Sequence, residues 1–397
     1  MKKIYTILIT ILVVILLGGS FFWFTNASKE IDEVAIWAEE QLKTLSLDEK
    51  IGQMLIISDR TPTMTENLLN TLEMTKPGGF ILFSENFTTY ENTLQLIQAL
   101  EETATIPLIM SIDQEGGRVQ RLKNLINQQV TNFPSMNELS LFGTEEKAYQ
   151  VGKAIGEELR VFGVNVDFAP ILDVLNTPNN VIGNRSFGNN PYLVSKFGLA
   201  LAKGLKEVGV TPTYKHFPGH GSTSEDSHQE LPIIEKTIEE LKSNDLIPFQ
   251  NAIENGAEII MVGHLALPKI TNDNVPASIS SKIITELLKK DMNYQGLVIT
   301  DALNMKALTN HFSEKEIIIK AINAGVDLLL MPTDPKRTIK IIKQGILDHE
   351  ITEEQINDSV NKILQFKKRN ITNLKLNREY LGKKEHQELI ESLKKNE

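Results

Sequence analysis

The acids, imidazoles and guanidinium groups of this chain gather in a few short polar segments, each following an apolar run. One reads Ser111-Ile112-Asp113-Gln114-Glu115-Gly116-Gly117-Arg118 and continues to Arg121. A second holds Asp167 and Asp173, with Asn184-Arg185-Ser186-Phe187 beyond. A third reads Lys215-His216-Phe217-Pro218-Gly219-His220-Gly221, then runs from Ser222 to Asp226-Ser227-His228. Two more end in Gly263-His264 and Ile299-Thr300-Asp301, and four of the seven histidines fall between 216 and 264. Such an assortment suits a sugar, which offers many hydroxyls and needs an acid, a base and a nucleophile at one carbon. A carboxylate can attack carbon and leave again, splitting one hard step into two. An imidazole can give and then take back the same proton near neutrality, and a neighbouring carboxylate fixes its tautomer.

These segments need a scaffold that brings them to one rim. Eight short apolar runs recur: Ile51–Ile57, Gly79–Phe83, Pro107–Ile112, Val164–Phe168, Val210–Thr213, Glu258–Val262, Gly296–Thr300 and Val326–Met331. Helix-period segments separate most of them: Glu91–Glu102, Glu145–Val161, Tyr192–Val208, Ile238–Asn255, Ile283–Lys290 and Glu314–Asn323. Two more helices, Thr338–His349 and Glu353–Lys368, follow the eighth run. Strand–helix alternation predicts a parallel sheet, and runs apolar throughout predict strands buried on both faces. Eight units predict a single (β/α)₈ TIM-type barrel, in which the strand-end segments share one face. Gly163, Gly209, Gly256 and Gly325 punctuate helix ends just before the next run, where a left-handed cap costs glycine little.

The organisation reads as three parts: a membrane anchor or signal segment over 1–27, a catalytic domain over 28–368 and a polar charged tail over 369–397. Two lysines precede an uncharged apolar run from Ile4 to Phe24, and acidic residues follow it. About 20 apolar residues suffice to cross a bilayer as a helix, and the charge order leaves the main domain extracytoplasmic. If the segment is cleaved, the product is secreted. Beyond residue 367 the charged composition predicts a frayed helical tail. A net charge of −10 argues against a nucleic-acid partner. The chain has no cysteine, so neither a disulfide nor a thiolate metal site is available. His216 and His220 have metal-ligand spacing, but Pro218 and Gly219 between them work against the helix that would put both on one face. His264 suits either a pocket or the core, and Asp301 taken alone suits an N-cap of a helix starting at Ala302.

KHFPGHG followed by STSEDSH, together with DQEGGRVQR, NRSF and ITDAL, resembles glycoside hydrolase family 3, with the β-N-acetylglucosaminidase branch as the nearest match. The resemblance covers about Leu45 to Phe366. It implies Asp301 as nucleophile, His228 as general acid and then base, and Asp226 as the residue that orients His228. It further implies that Asp113, Arg121, Arg185, Lys215 and His216 bind the sugar. No metal or organic cofactor is implied. The expected partner is a carbohydrate, such as a muropeptide or a chitooligosaccharide, and the expected state is a monomer. Many family members carry a second α/β domain after the barrel; none is expected here, which directs the acid role to His228. Within the family, a β-glucosidase, a β-xylosidase or a glycoside phosphorylase stays open; outside enzymes, a membrane-tethered sugar-binding protein does.

Overall fold

A computed structural model describes residues 33–177, 181–223, 225–227, 229–371 and 375–394. The anchor segment 1–27 lies outside these residues, and no helix among the described residues is long and apolar enough to cross a membrane.

Eight parallel strands form the barrel: β1 (Leu55–Ile57), β2 (Gly79–Leu82), β3 (Ile109–Ile112), β4 (Val166–Asp167), β5 (Thr211–Phe217), β6 (Ile259–Val262), β7 (Leu297–Thr300) and β8 (Leu329–Leu330). Each pairs with the next in the chain, and β8 returns to β1 through Leu55–Leu329 and Ile56–Leu330. The ring closes between β7 and β8, where Ile299 bridges Leu328 and the Thr300 amide donates to the Leu328 carbonyl at 3.1 Å. Every residue of these eight strands is buried, β5 along its full seven-residue length. Leu, Ile, Val and Met fill the space between strands and helices, which accounts for the apolar runs.

Several boundaries differ from the expectation. Ile51 belongs to the helix Leu47–Gln53, not to β1; Ser46 and Glu49 cap its start reciprocally. A helix over Glu66–Thr75 joins β1 to β2. The single helix expected over Ile238–Asn255 is two, Ile238–Lys242 and Ile247–Glu254. Pro248 opens the second, where its missing amide hydrogen costs nothing. In the break, buried Asp245 accepts from Asn176 Nδ2 at 3.0 Å and Ser222 Oγ at 3.1 Å, tying together two loops on the strand-end face. The helix expected over Ile283–Lys290 is wound as a π-helix over Lys282–Asp291. The four punctuating glycines all have positive φ, from 74° to 91°.

The tail expectation is corrected. Residues 375–394 pack on the barrel, with the helix Lys384–Lys394 burying His386, Ile390 and Leu393. Buried Glu158 anchors it, accepting from the amides of Thr131 at 3.1 Å and Gly382 at 3.0 Å and lying 3.4 Å from His386 Nδ1. Glu157 meets the other ring nitrogen at 2.8 Å. Burial disfavours the imidazolium, but the two carboxylates outweigh it and raise the His386 pKa.

The last barrel helix, Glu353–Asn370, buries Lys367, whose amine lies 2.7 Å from Gln53 Oε1. Burial alone pushes this ammonium down to about 7. An unfolded lysine titrates near ~10.4, so between these values the unfolded chain holds a proton that the folded chain lacks. Stability contributed here therefore rises with pH from about 7 to about 10. Lys367→Met is expected to raise the melting temperature by several degrees at pH 7, with the gain shrinking toward pH 10; thermal unfolding across that range measures it.

Candidate active site

The C-terminal strand ends surround a cavity of about 310 Å³ lined by Asp113, Arg121, Arg185, Lys215, His216 and Asp301, together with Glu115, His220 and Ser227. Six of the eight residues singled out from the sequence thus share one wall. Asp226 is half-buried on the loop after β5, and its neighbour Ser227 lines the cavity. His228 lies outside the described residues.

Lys215 stands at the centre. It belongs to β5, which runs on to Phe217, so the strand is longer than the expected Val210–Thr213. Regular alternation would send Lys215 and His216 to opposite faces of the sheet. The pairing register with β6 shifts between Tyr214 and Phe217, and both side chains line the cavity. The Lys215 ammonium lies 2.8 Å from Asp113 Oδ1 and 2.7 Å from Glu115 Oε1. Arg185 grips Glu115 with two parallel bonds, Nε to Oε2 and Nη2 to Oε1, each 2.8 Å. Arg121 Nη2 donates to Asp113 Oδ2 at 3.2 Å.

Burial alone would neutralise these groups. For Asp113 it is outweighed by Lys215 and Arg121, which hold the carboxyl below its usual range. For Glu115 it is outweighed by Arg185 and Lys215, with the same result. Burial also opposes the charge on Lys215, yet Asp113 and Glu115 raise its pKa. Asp167, at the end of β4, is the exception: burial raises its pKa well above the ordinary carboxylate value. Its Oδ1 accepts from the Gln114 amide at 2.9 Å, which fixes the peptide between Asp113 and Glu115.

Asp173 organises the other side. Its Oδ2 lies 2.7 Å from His216 Nδ1, and its Oδ1 accepts from the amides of His216 at 3.2 Å and His220 at 2.7 Å. Burial is again outweighed, here by the two histidines, and Asp173 stays ionised. A carboxylate only accepts, so Nδ1 of His216 carries the hydrogen. Burial lowers the pKa of His220, whose Nε2 lies 3.4 Å from the Ser227 hydroxyl.

Asp301 follows β7, and its amide continues the ladder to the Val262 carbonyl at 2.9 Å. No helix starts at Ala302; the next begins at Lys306, with Met305 as its cap. Asp301 Oδ1 accepts from the adjacent Ala302 amide at 2.7 Å, so the N-cap alternative fails. His264 is a fully buried core residue whose Nε2 lies 2.9 Å from the Ala302 carbonyl and Nδ1 2.7 Å from the Ser278 hydroxyl. Because a carbonyl only accepts, Nε2 carries the hydrogen, and His264 steadies the peptide after Asp301. Arg118 braces the far loop, donating to the Val181 and Ile182 carbonyls.

Glu115 and Asp173 are the residues sequence reasoning left without a role. Glu115 sits in a Gly-Gly turn with the look of a failed phosphate loop, and Asp173 follows an apolar run without a histidine beside it in the chain. A carboxylate on each of two consecutive strand-end segments was the available signal.

The domain model described as the glycosyl hydrolase family 3 N-terminal domain matches residues 46–366. β-Hexosaminidase A of Pseudoalteromonas piscicida is 37% identical over 321 residues, covering 73% of this chain and 53% of that protein, so the chain spans about half the length of that relative. β-Hexosaminidase LpqI of Mycobacterium tuberculosis is 32% identical over 333 residues, covering 81% of this chain and 83% of that protein. Among solved structures, a glycoside hydrolase family 3 β-N-acetylglucosaminidase from a Paenibacillus species superposes with a TM-score of 0.83 at 33% identity, covering 89% of this chain and 69% of that one.

Removing one partner from a buried ion network leaves the others uncompensated, typically at about 3–5 kcal/mol. Glu115→Gln is therefore expected to destabilise the fold on that scale at pH 7, as read by denaturant unfolding. Asp113 and Glu115 are depressed, so their stabilisation is complete above about pH 5 and is lost as pH falls through and below the ordinary carboxylate range. The gap between wild type and Glu115→Gln should narrow on acidification.

Proposed function

The chain belongs to glycoside hydrolase family 3, and from that footing we propose that it is a retaining exo-β-N-acetylglucosaminidase that releases terminal β-linked N-acetylglucosamine from cell-wall fragments or chitooligosaccharides. The observation that carries this reading is the meeting of Asp301 with the Asp113–Lys215–Arg121 cluster in one cavity on the strand-end rim. Both β-hexosaminidases and the Paenibacillus β-N-acetylglucosaminidase support the choice of sugar.

In this reading the Asp301 carboxylate attacks the anomeric carbon and forms a glycosyl ester, while the bond to the leaving oxygen breaks. His228, oriented by Asp226, gives that oxygen a proton. Water then enters, His228 takes its proton, and the ester bond breaks to return the β-anomer. The support for His228 is positional: Ser227, beside it in the chain, lines the cavity that holds Asp301. Asp113, Arg121 and Lys215 present charged donors and acceptors to the sugar hydroxyls. They are held in place by Glu115 and Arg185, so they need not reorganise as charge develops at the reacting carbon. His216, locked by Asp173, faces the same cavity. The apolar segment 4–24 supports a further assignment as a membrane anchor that leaves this site outside the cell.

Release of nitrophenol from the N-acetyl-β-glucosaminide, measured beside the β-glucoside and β-xyloside, tests the assignment. The first substrate should be preferred, and chelator should not matter. Asp301→Ala should lose about a thousandfold or more in kcat. His228→Ala should lose much less on nitrophenol than on an N-acetylglucosaminyl disaccharide, because nitrophenol leaves without a proton. Preference for the glucoside would retain the family and overturn the branch.

A further inference from the structure

The cavity wall holds four cations: Arg60, Arg121, Arg185 and Lys215. Three of them face counter-ions that line the same wall: Lys215 meets Asp113 and Glu115, Arg185 meets Glu115, and Arg121 meets Asp113. Arg60 differs. Its ion-pair partner is Glu85, at 2.6 Å, which is not part of the cavity wall.

Arg60 is also held in place. Its guanidinium carbon sits 4.1 Å above the centre of the Phe83 ring, which lines the cavity after β2. The loop that bears it is clamped by fully buried Asn86, whose Nδ2 donates to the Asp59 and Thr61 carbonyls at 2.8 Å each. Asn86 Oδ1 accepts from the Phe83 amide at 2.8 Å, so one side chain sets both the arginine and the ring beneath it. The Arg60 side chain is 56% exposed, against 2% for Lys215, which places it at the mouth of the cavity rather than its floor. Glu85 engages Nη1, and a guanidinium has five N–H donors in a planar fork suited to carboxylates. An exposed pair of this kind is weak and leaves its arginine available to a second anion.

An exo-acting pocket encloses the terminal sugar, so only the leaving group extends through its mouth. We propose that Arg60, stacked on Phe83, forms a subsite for a carboxylate carried on the leaving-group sugar, and that it selects acidic over neutral aglycones. The proposal rests on the exo-N-acetylglucosaminidase reading above.

The test compares N-acetylglucosaminyl-β-1,4-N-acetylmuramic acid with its carboxyl methyl ester, using the full chain. Wild type should cleave the acid with a kcat/KM about tenfold above that of the ester, a difference that one charge-assisted hydrogen bond can supply. In Arg60→Gln the acid-to-ester ratio should fall toward one. Arg60→Lys should keep part of it, and Glu85→Gln should keep or increase it. Added salt should reduce the wild-type ratio, since Arg60 stands in solvent. Each ratio is taken within one protein preparation, so a partly unfolded variant does not distort it. A wild-type ratio near one, or a ratio that survives in Arg60→Gln, overturns the subsite and leaves the N-acetylglucosaminidase reading intact. Failure of wild type to release N-acetylglucosamine from either disaccharide or from the nitrophenyl glycoside overturns that reading and the subsite together.

Discussion

A lysine ammonium buried between two carboxylates is the constraint on which this site depends. Lys215 is almost inaccessible to water, and so is Glu115, yet both are held in their charged forms by each other and by Arg185 and Asp113. Charges in such surroundings are tolerated only when paired at good geometry. That requirement reaches far back into the fold. β5 must turn Lys215 to the inner face, with a register shift where His216 joins it, the segment after β3 must turn at once to present Asp113 and Glu115, and the loop after β4 must return Arg185 to meet them. Asp167 holds that turn by accepting from the Gln114 amide, and burial raises its pKa where the neighbouring carboxyls are lowered.

The same arrangement distributes labour around the rim. The β3, β4 and β5 ends supply a rigid, internally paired lattice of donors and acceptors, the kind of environment that stabilises charge without reorganising. The β7 end supplies Asp301, steadied by His264 through the next peptide and freed from any capping duty because its helix starts only at Lys306. The loop after β5 brings Ser227 to the wall, and Asp245, sitting in the break of a helix, ties the start of that loop to the segment after β4. Fold irregularities thus sit where they position chemistry: a strand with shifted register and an interrupted helix.

Much of this was legible in the chain. Apolar runs buried on both faces announce parallel strands, and glycines with left-handed caps mark where each helix stops. The polar residues at strand ends follow from the architecture itself. What escaped were the partners of long reach. Glu115 gains its meaning from Arg185, 70 residues on, and Asp173 from His216, 43 residues on. Neither separation leaves a local pattern. The C-terminal segment escaped for another reason. His386, Ile390 and Leu393 recur at helical spacing on one face, but the abundant lysines and glutamates around them hid the stripe. β1 was blurred because a well-capped helix, Leu47–Gln53, runs straight into it with no polar break.

The docking of residues 375–394 bears on where this domain ends. The family match stops at 366, within the last barrel helix. A boundary drawn there would strip Glu158 of Gly382 and His386 and leave a buried carboxylate with the Thr131 amide. It would also remove Ile390 and Leu393, which are buried and which line a cleft with Phe133 and Phe142. The folding unit is therefore longer than the span of the family model, and the segment beyond residue 370 is part of the barrel's packing.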